Sequence, residues 1–176
     1  MRAHLKPAVS ATDHIQGTVG APVEIVEYGD YQCPYCGKAY PIVKDLLQQV
    51  GDQLKFVFRN FPLSKIHPQA RMAAIAAEAA GLQNKYWQMH DIIYENQKRL
   101  HHTALLEYAA SIGLQMDRFT ADMERDDLAA KVDSHFYSGM RSGVSATPTF
   151  FINGEKYTGS WENDDLLQYL KSSFSL

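Results

Sequence analysis

The two cysteines of this chain, Cys33 and Cys36, flank Pro34-Tyr35 where a β-rich run gives way to a helical pattern. On a helix that spacing puts both side chains on one face, with Cα atoms inside the range of about 4.4–6.8 Å that a disulfide tolerates. Pro34 suits the first helical position, where a missing N–H costs nothing and the fixed φ is already helical. Cys33 then stands at the helix N-terminus, facing unpaired N–H groups and the positive end of the dipole. That field favours thiolate over thiol, so the stretch predicts a reactive dithiol. A zinc half-site and a structural disulfide are the competing readings. The seven histidines show no ligand spacing and no second cysteine pair exists, so no metal is expected.

The strand before the dithiol is Val23-Glu24-Ile25-Val26-Glu27-Tyr28, closed by Gly29-Asp30. Its acids do not alternate cleanly, so one of Glu24 and Glu27 is expected to point inward. The helix runs to about Val50 on the spacing of Val43, Leu46, Leu47 and Val50, kinks at Pro41 and ends at Gly51. Leu54 to Phe61 is a second strand with Leu54, Phe56 and Phe58 on one face. Strand, helix, strand implies a parallel pair with a right-handed crossover.

From Ser64 to about Gly143 the pattern is helical. One helix starts at His67-Pro68, runs through an alanine-rich stretch and breaks at Gly81 or Asn84. A second spans Tyr86-Trp87 to about Gln97, and a third is capped by Thr103 and ends at Gly113. A short piece covers Arg118 to Met123, and Leu128, Val132, Phe136 and Met140 mark the buried stripe of a long fourth helix. Strand then returns at Thr149–Ile152, turns at Asn153-Gly154, pairs back through Glu155–Thr158 and meets a closing helix, Trp161–Leu170, capped near Ser160 or Asn163. The expected fold is α/β: a mixed central sheet of about four strands with an all-helical insertion between its βαβ and ββα halves. Residues 1–20 read as a surface arm with one short strand near His14-Ile15-Gln16. Residues 21–62 and 144–176 form the sheet domain, and 63–143 the helical insertion.

Composition narrows the function classes. With 45% hydrophobic and 21% charged residues, this length buries a core without staples. The net charge of −3 and the lack of a basic block argue against nucleic acid. No apolar run approaches the ~18 residues of a membrane span. The first nine residues carry positive charge but no apolar stretch of the ~7–15 residues a signal peptide needs. The expected location is the cytoplasm, the alternative an exported protein whose signal has been removed.

Taken together, Glu27 to Cys36, Pro41 five residues after Cys36, and Val144 to Gly154 with its Thr147-Pro148 step resemble the DsbA-like branch of the thioredoxin superfamily. The resemblance covers nearly everything after residue 13 and includes the helical block. It implies a thioredoxin-like fold and a thiol–disulfide oxidoreductase that exchanges dithiol and disulfide with protein or peptide substrates and a redox partner. No bound cofactor is implied, and a monomer is expected. Cys33 would be the nucleophile and Cys36 the resolving thiol. Pro148, which the residues alone leave cis or trans, would be cis and face Cys33, with Thr147 backbone groups pairing with an extended substrate. Glu27 aligns with an acid under the active site that helps move the proton of the resolving cysteine. Pro34, Tyr35, Gln32 and Tyr31 would form the rim that meets substrate. Domains of this branch also occur fused to sodium/proton antiporters. The sequence departs from exported oxidants of the branch in its Pro-Tyr pair, where Pro-His is common, and in Thr147, where Val is common. Asp30 and Glu27 lie close to Cys33 in sequence, so a depressed but not extreme thiol pKa is expected. A glutathione-linked reductase or transferase and a non-catalytic, redox-sensitive binding module are the alternatives.

Overall fold

Period-two alternation in the central strands gives the sheet two apolar faces. Val23 and Ile25, then Leu54, Phe56 and Phe58, then Phe150 and Ile152 point into the larger core. Val26, Tyr28, Val57 and Phe151 point the other way, where Leu5, Phe61 and Val144 complete a smaller core. The computed structural model describes residues 1–176. Its elements are β1 (Ile15–Gly17), β2 (Val23–Gly29), α1 (Pro34–Val50), a 3-10 turn (Gly51–Gln53), β3 (Leu54–Asn60), α2 (Ala70–Gly81), α3 (Tyr86–Glu95), α4 (His102–Ser111), α5 (Met116–Met123), α6 (Asp126–Arg141), β4 (Thr149–Ile152), β5 (Glu155–Lys156) and α7 (Asp165–Phe174). The strands order as β1-β3-β2-β4-β5. β2 and β3 are parallel, whereas β1, β4 and β5 pair antiparallel. The result is the thioredoxin-like α/β architecture, with the dithiol at the carboxyl end of the central strand β2.

Helices α1 to α7 line the larger core together with the sheet. The alanines of α2, among them Ala73, Ala74, Ala76, Ala77, Ala79 and Ala80, are buried, which lets neighbouring backbones approach closely. The strand expected near His14–Gln16 forms as β1 and makes the sheet five-stranded rather than four. The first residues reach the opposite edge, where Leu5 N–H donates to Gly154 O at 2.8 Å and Lys156 N–H donates to Ala3 O at 2.9 Å.

Several boundaries differ from expectation for local reasons. α2 starts at Ala70, not His67-Pro68, because the preceding turns are held elsewhere: the His67 ring bonds Asp30, and Gln69 N–H donates to Gln32. His101, not Thr103, occupies the N-cap of α4. On α6 the buried stripe passes through Gly139, whereas Met140 is 55% exposed. The glycine is required there, since a Cβ would lie 2.7 Å from the Phe61 ring. β5 is two residues long, and α7 starts at Asp165 with Trp161 left in the preceding loop.

Candidate active site

Strand β2 delivers the chain to Asp30, and three residues later Cys33 takes the N-cap of α1 in extended geometry, φ −69° and ψ 124°. Pro34 is the first helical residue. Both cysteines are buried free thiols, with Cys36 fully inside. The Cys33 thiol donates to Thr147 O at 3.6 Å, so β2–α1 and the segment leading into β4 meet at this sulfur. The Thr147–Pro148 peptide is cis, as the resemblance implies.

The two sulfurs are driven apart in acidity. Cys33 is pushed down to about 5, first by the hydrogen bond from the Cys36 thiol and then by the backbone N–H groups of Cys36 and Tyr35, against the opposing effect of burial. These amides are those a helix leaves unpaired at its first turn. Cys36 is pushed up, mainly by burial, then by Cys33 and by the charge of Glu27. Glu27 is the inward-pointing acid of β2. Its carboxyl is buried, pushed up to about 8 by burial and then by the Cys33 thiolate, and its Oε1 has no hydrogen-bond partner. Glu24, the other acid of that strand, pairs with Lys55 at 2.6 Å.

The remaining expected site residues scatter. Tyr35 is 58% exposed and Pro34 is exposed, so both stand on the rim. Gln32 is half-buried, and its Oε1 accepts from Gln69 N–H at 2.9 Å. Tyr31 does not belong to the rim. It is 1% exposed, its OH bonds His90 Nδ1 at 2.8 Å, and its ring lies among Phe58 and Tyr94. Thr147 is buried and its Oγ1 is unpartnered.

Asp30, whose charge proximity in sequence sets against the thiolate, has a second role as a cap. Oδ1 accepts from Gln32 N–H at 2.7 Å and Cys33 N–H at 3.1 Å. Oδ2 accepts from Leu63 N–H at 2.9 Å and lies 2.9 Å from His67 Nδ1. The sequence marks His67 and Gln97 only as helix boundaries, yet the Gln97 amide donates to the Tyr31 and Cys33 carbonyls at 2.9 Å each. The legible signal for Gln97 was Gly37, a glycine inside a helix, which usually marks a close approach.

A family model described as thioredoxin matches residues 9–172. A thioredoxin-like oxidoreductase from Silicibacter pomeroyi superposes with a TM-score of 0.83 at 25% identity, covering 95% of each chain. The thiol-disulfide exchange protein alpha-DsbA2 from Wolbachia pipientis superposes with a TM-score of 0.79 at 20% identity, covering 93% of this chain and 88% of that one. A curated Na(+)/H(+) antiporter, NhaA 1 of Salinispora arenicola, is 41% identical over 163 residues, 93% of this chain. The chain spans about a quarter of the length of the curated relatives it matches. No helix of the chain is long and apolar enough to cross a membrane.

Proposed function

The chain belongs to the thioredoxin family, with a DsbA-like fold, and from that premise we propose that it is a protein thiol–disulfide oxidoreductase working through a Cys33 mixed disulfide. The observation that carries the reading is the split between two thiols on one helical turn: Cys33 pushed down to about 5 beside the cis-Pro148 segment, Cys36 pushed up behind it. The thiolate is the attacking species in disulfide exchange, and the resolving thiol must stay quiet until the mixed disulfide exists.

In the reducing direction, the Cys33 thiolate attacks one sulfur of a substrate disulfide. The substrate S–S bond breaks and one substrate sulfur leaves as thiolate. Cys36 then gives up its proton and attacks Cys33 Sγ. The second substrate sulfur leaves, and the Cys33–Cys36 disulfide forms. Run backwards, the same steps oxidise a substrate dithiol. Glu27, with a pKa near 8 and an unpaired oxygen, is suited to accept the Cys36 proton in one direction and return it in the other. Thr147 backbone groups align an extended substrate segment by β-addition, while Pro34, Tyr35 and Gln32 meet its flanks.

Trapping tests this directly. Incubation of Cys36→Ser with a disulfide-bearing peptide should accumulate a mixed disulfide at Cys33, detected as a mass adduct removed by reductant. Cys33→Ser should give none and should lose insulin-disulfide reduction. Undiminished reduction by Cys33→Ser would overturn the reading.

A further inference from the structure

Gly37 follows the resolving cysteine inside α1, where glycine costs about 1 kcal/mol relative to alanine and no positive φ calls for it. Its neighbour explains it: a Cβ at this position would run into the side-chain amide of Gln97. Gln97, just beyond α3, uses its Nε2 to donate to Tyr31 O and to Cys33 O, each at 2.9 Å. The Cys33 carbonyl also accepts the first-turn bond from Gly37 N–H at 3.1 Å, whereas the Tyr31 carbonyl has no other protein donor. Asp30 accepts from Gln32 N–H, the other end of the Tyr31 peptide, and from the next amide, Cys33 N–H. The peptide joining Tyr31 to Gln32 is thus held at both its C=O and its N–H, and the backbone on either side of Cys33 is pinned.

We propose that Gln97 is a positioning residue for the dithiol: it fixes the turn that aims the Tyr35 and Cys36 N–H groups at Cys33 Sγ, and so sets the stability of the thiolate and the reduction potential of the pair. Gly37 is the vacancy that admits it. Through Gln97 the helical block acts on the redox chemistry without touching the sulfur. The inference rests on the dithiol reading above.

The experiment uses Gln97→Ala, Gln97→Glu, Gly37→Ala and the Gly37→Ala/Gln97→Ala double variant in the full chain, with circular dichroism melts to confirm folding. Gly37→Ala is the informative companion. It improves helix propensity yet pushes aside only the flexible end of Gln97. The readouts are the pH profile of Cys33 alkylation and the equilibrium with glutathione. Gln97→Ala and Gly37→Ala should each raise the apparent Cys33 pKa, cutting the thiolate fraction at pH 6 by about threefold or more. Each should also make the disulfide less oxidising, because a less stabilised thiolate means a less stabilised reduced form; a tenfold change in that equilibrium is about 30 mV. Gln97→Glu should shift both further by placing a carboxylate against the two carbonyls, and the double variant should match the single ones. Folded variants with the wild-type alkylation profile and potential, or additive effects in the double variant, would overturn the proposal. If wild-type Cys33 itself titrates as an ordinary thiol, the dithiol reading fails first and this inference with it.

Discussion

At the scale of single residues, the site is a sorting of protons among three groups. Cys33 sits near 5, far below the ordinary thiol, so its alkylation rate should rise through pH 5 and be flat from about pH 7 upward. A half-rise above pH 8 would contradict the assignment. Its folded value lies below the unfolded one. The thiolate therefore adds stability that is fully present above the unfolded pKa and lost as pH falls through about 5. Glu27 works the other way. Its folded value, about 8, lies above the ordinary carboxyl value, so folding favours the protonated form and weakens as pH rises from about 4 towards 8. Glu27→Gln should thus be more stable than wild type at neutral pH, by about 2–4 kcal/mol, with the advantage gone near pH 4. The same variant should release trapped substrate more slowly, because Cys36 loses its proton acceptor. Denaturant midpoints at both pH values, together with the rate of mixed-disulfide decay, check both effects. An advantage over wild type no larger at pH 7 than at pH 4 would show that Glu27 is not held protonated in the fold.

At the scale of elements, α1 is organised from its first turn. Pro34 supplies the helical φ, Cys33 the N-cap position, and Asp30 the bonds that hold the entry turn. The same carboxylate reaches Leu63 and His67, so it joins the start of α1 to the loop before α2. Asp30→Ala would leave buried N–H groups unpaired on both segments, and a loss of about 2–4 kcal/mol is expected, read from urea unfolding. A change below 0.5 kcal/mol would mean the turn is held by packing alone. Gly139 makes a parallel point on α6. The hydrophobic pattern places the stripe on Met140, but contact between the helix backbone and the Phe61 and Tyr28 rings turns that residue outward. A heptad pattern counts apolar side chains and cannot register a surface made by a missing one.

At the scale of the whole molecule, the arm is bound to the sheet by a buried charge. Arg59 of β3 is 2% exposed and pairs with Asp13 through both oxygens, each at 2.9 Å. It also donates to Tyr28 OH at 3.0 Å and to Pro7 O at 2.9 Å. The guanidinium helps hold the Asp13 carboxyl below its usual value against burial. Asp13→Ala would strand a buried cation, at a cost of about 3–5 kcal/mol, and should loosen residues 1–17 as read by amide exchange. Close by, Glu78 is held by His14 at 2.8 Å and Lys131 at 3.0 Å, so arm, α2 and α6 share one polar cluster. Exchange protection of the arm unchanged in Asp13→Ala would show that β-pairing alone retains it.

What depends on neighbours along the chain was legible without the fold. The reactive N-cap at Cys33 follows from Cys33-Pro34 after a strand, and the two faces of the sheet from period-two alternation. The hairpin at Asn153-Gly154 follows from residues that accept φ of 47° and 84°. These are local steric and dipolar effects, carried by a few consecutive residues. It took the folded chain to show that Glu27 rather than Glu24 turns inward, that Tyr31 is core and not rim, and that Asp30 caps two segments. It likewise brought Gln97 to the active-site carbonyls across more than sixty residues of chain. Burial and long-range hydrogen bonds set each of these, and both depend on which distant segments close over a residue, information that no local window of sequence contains.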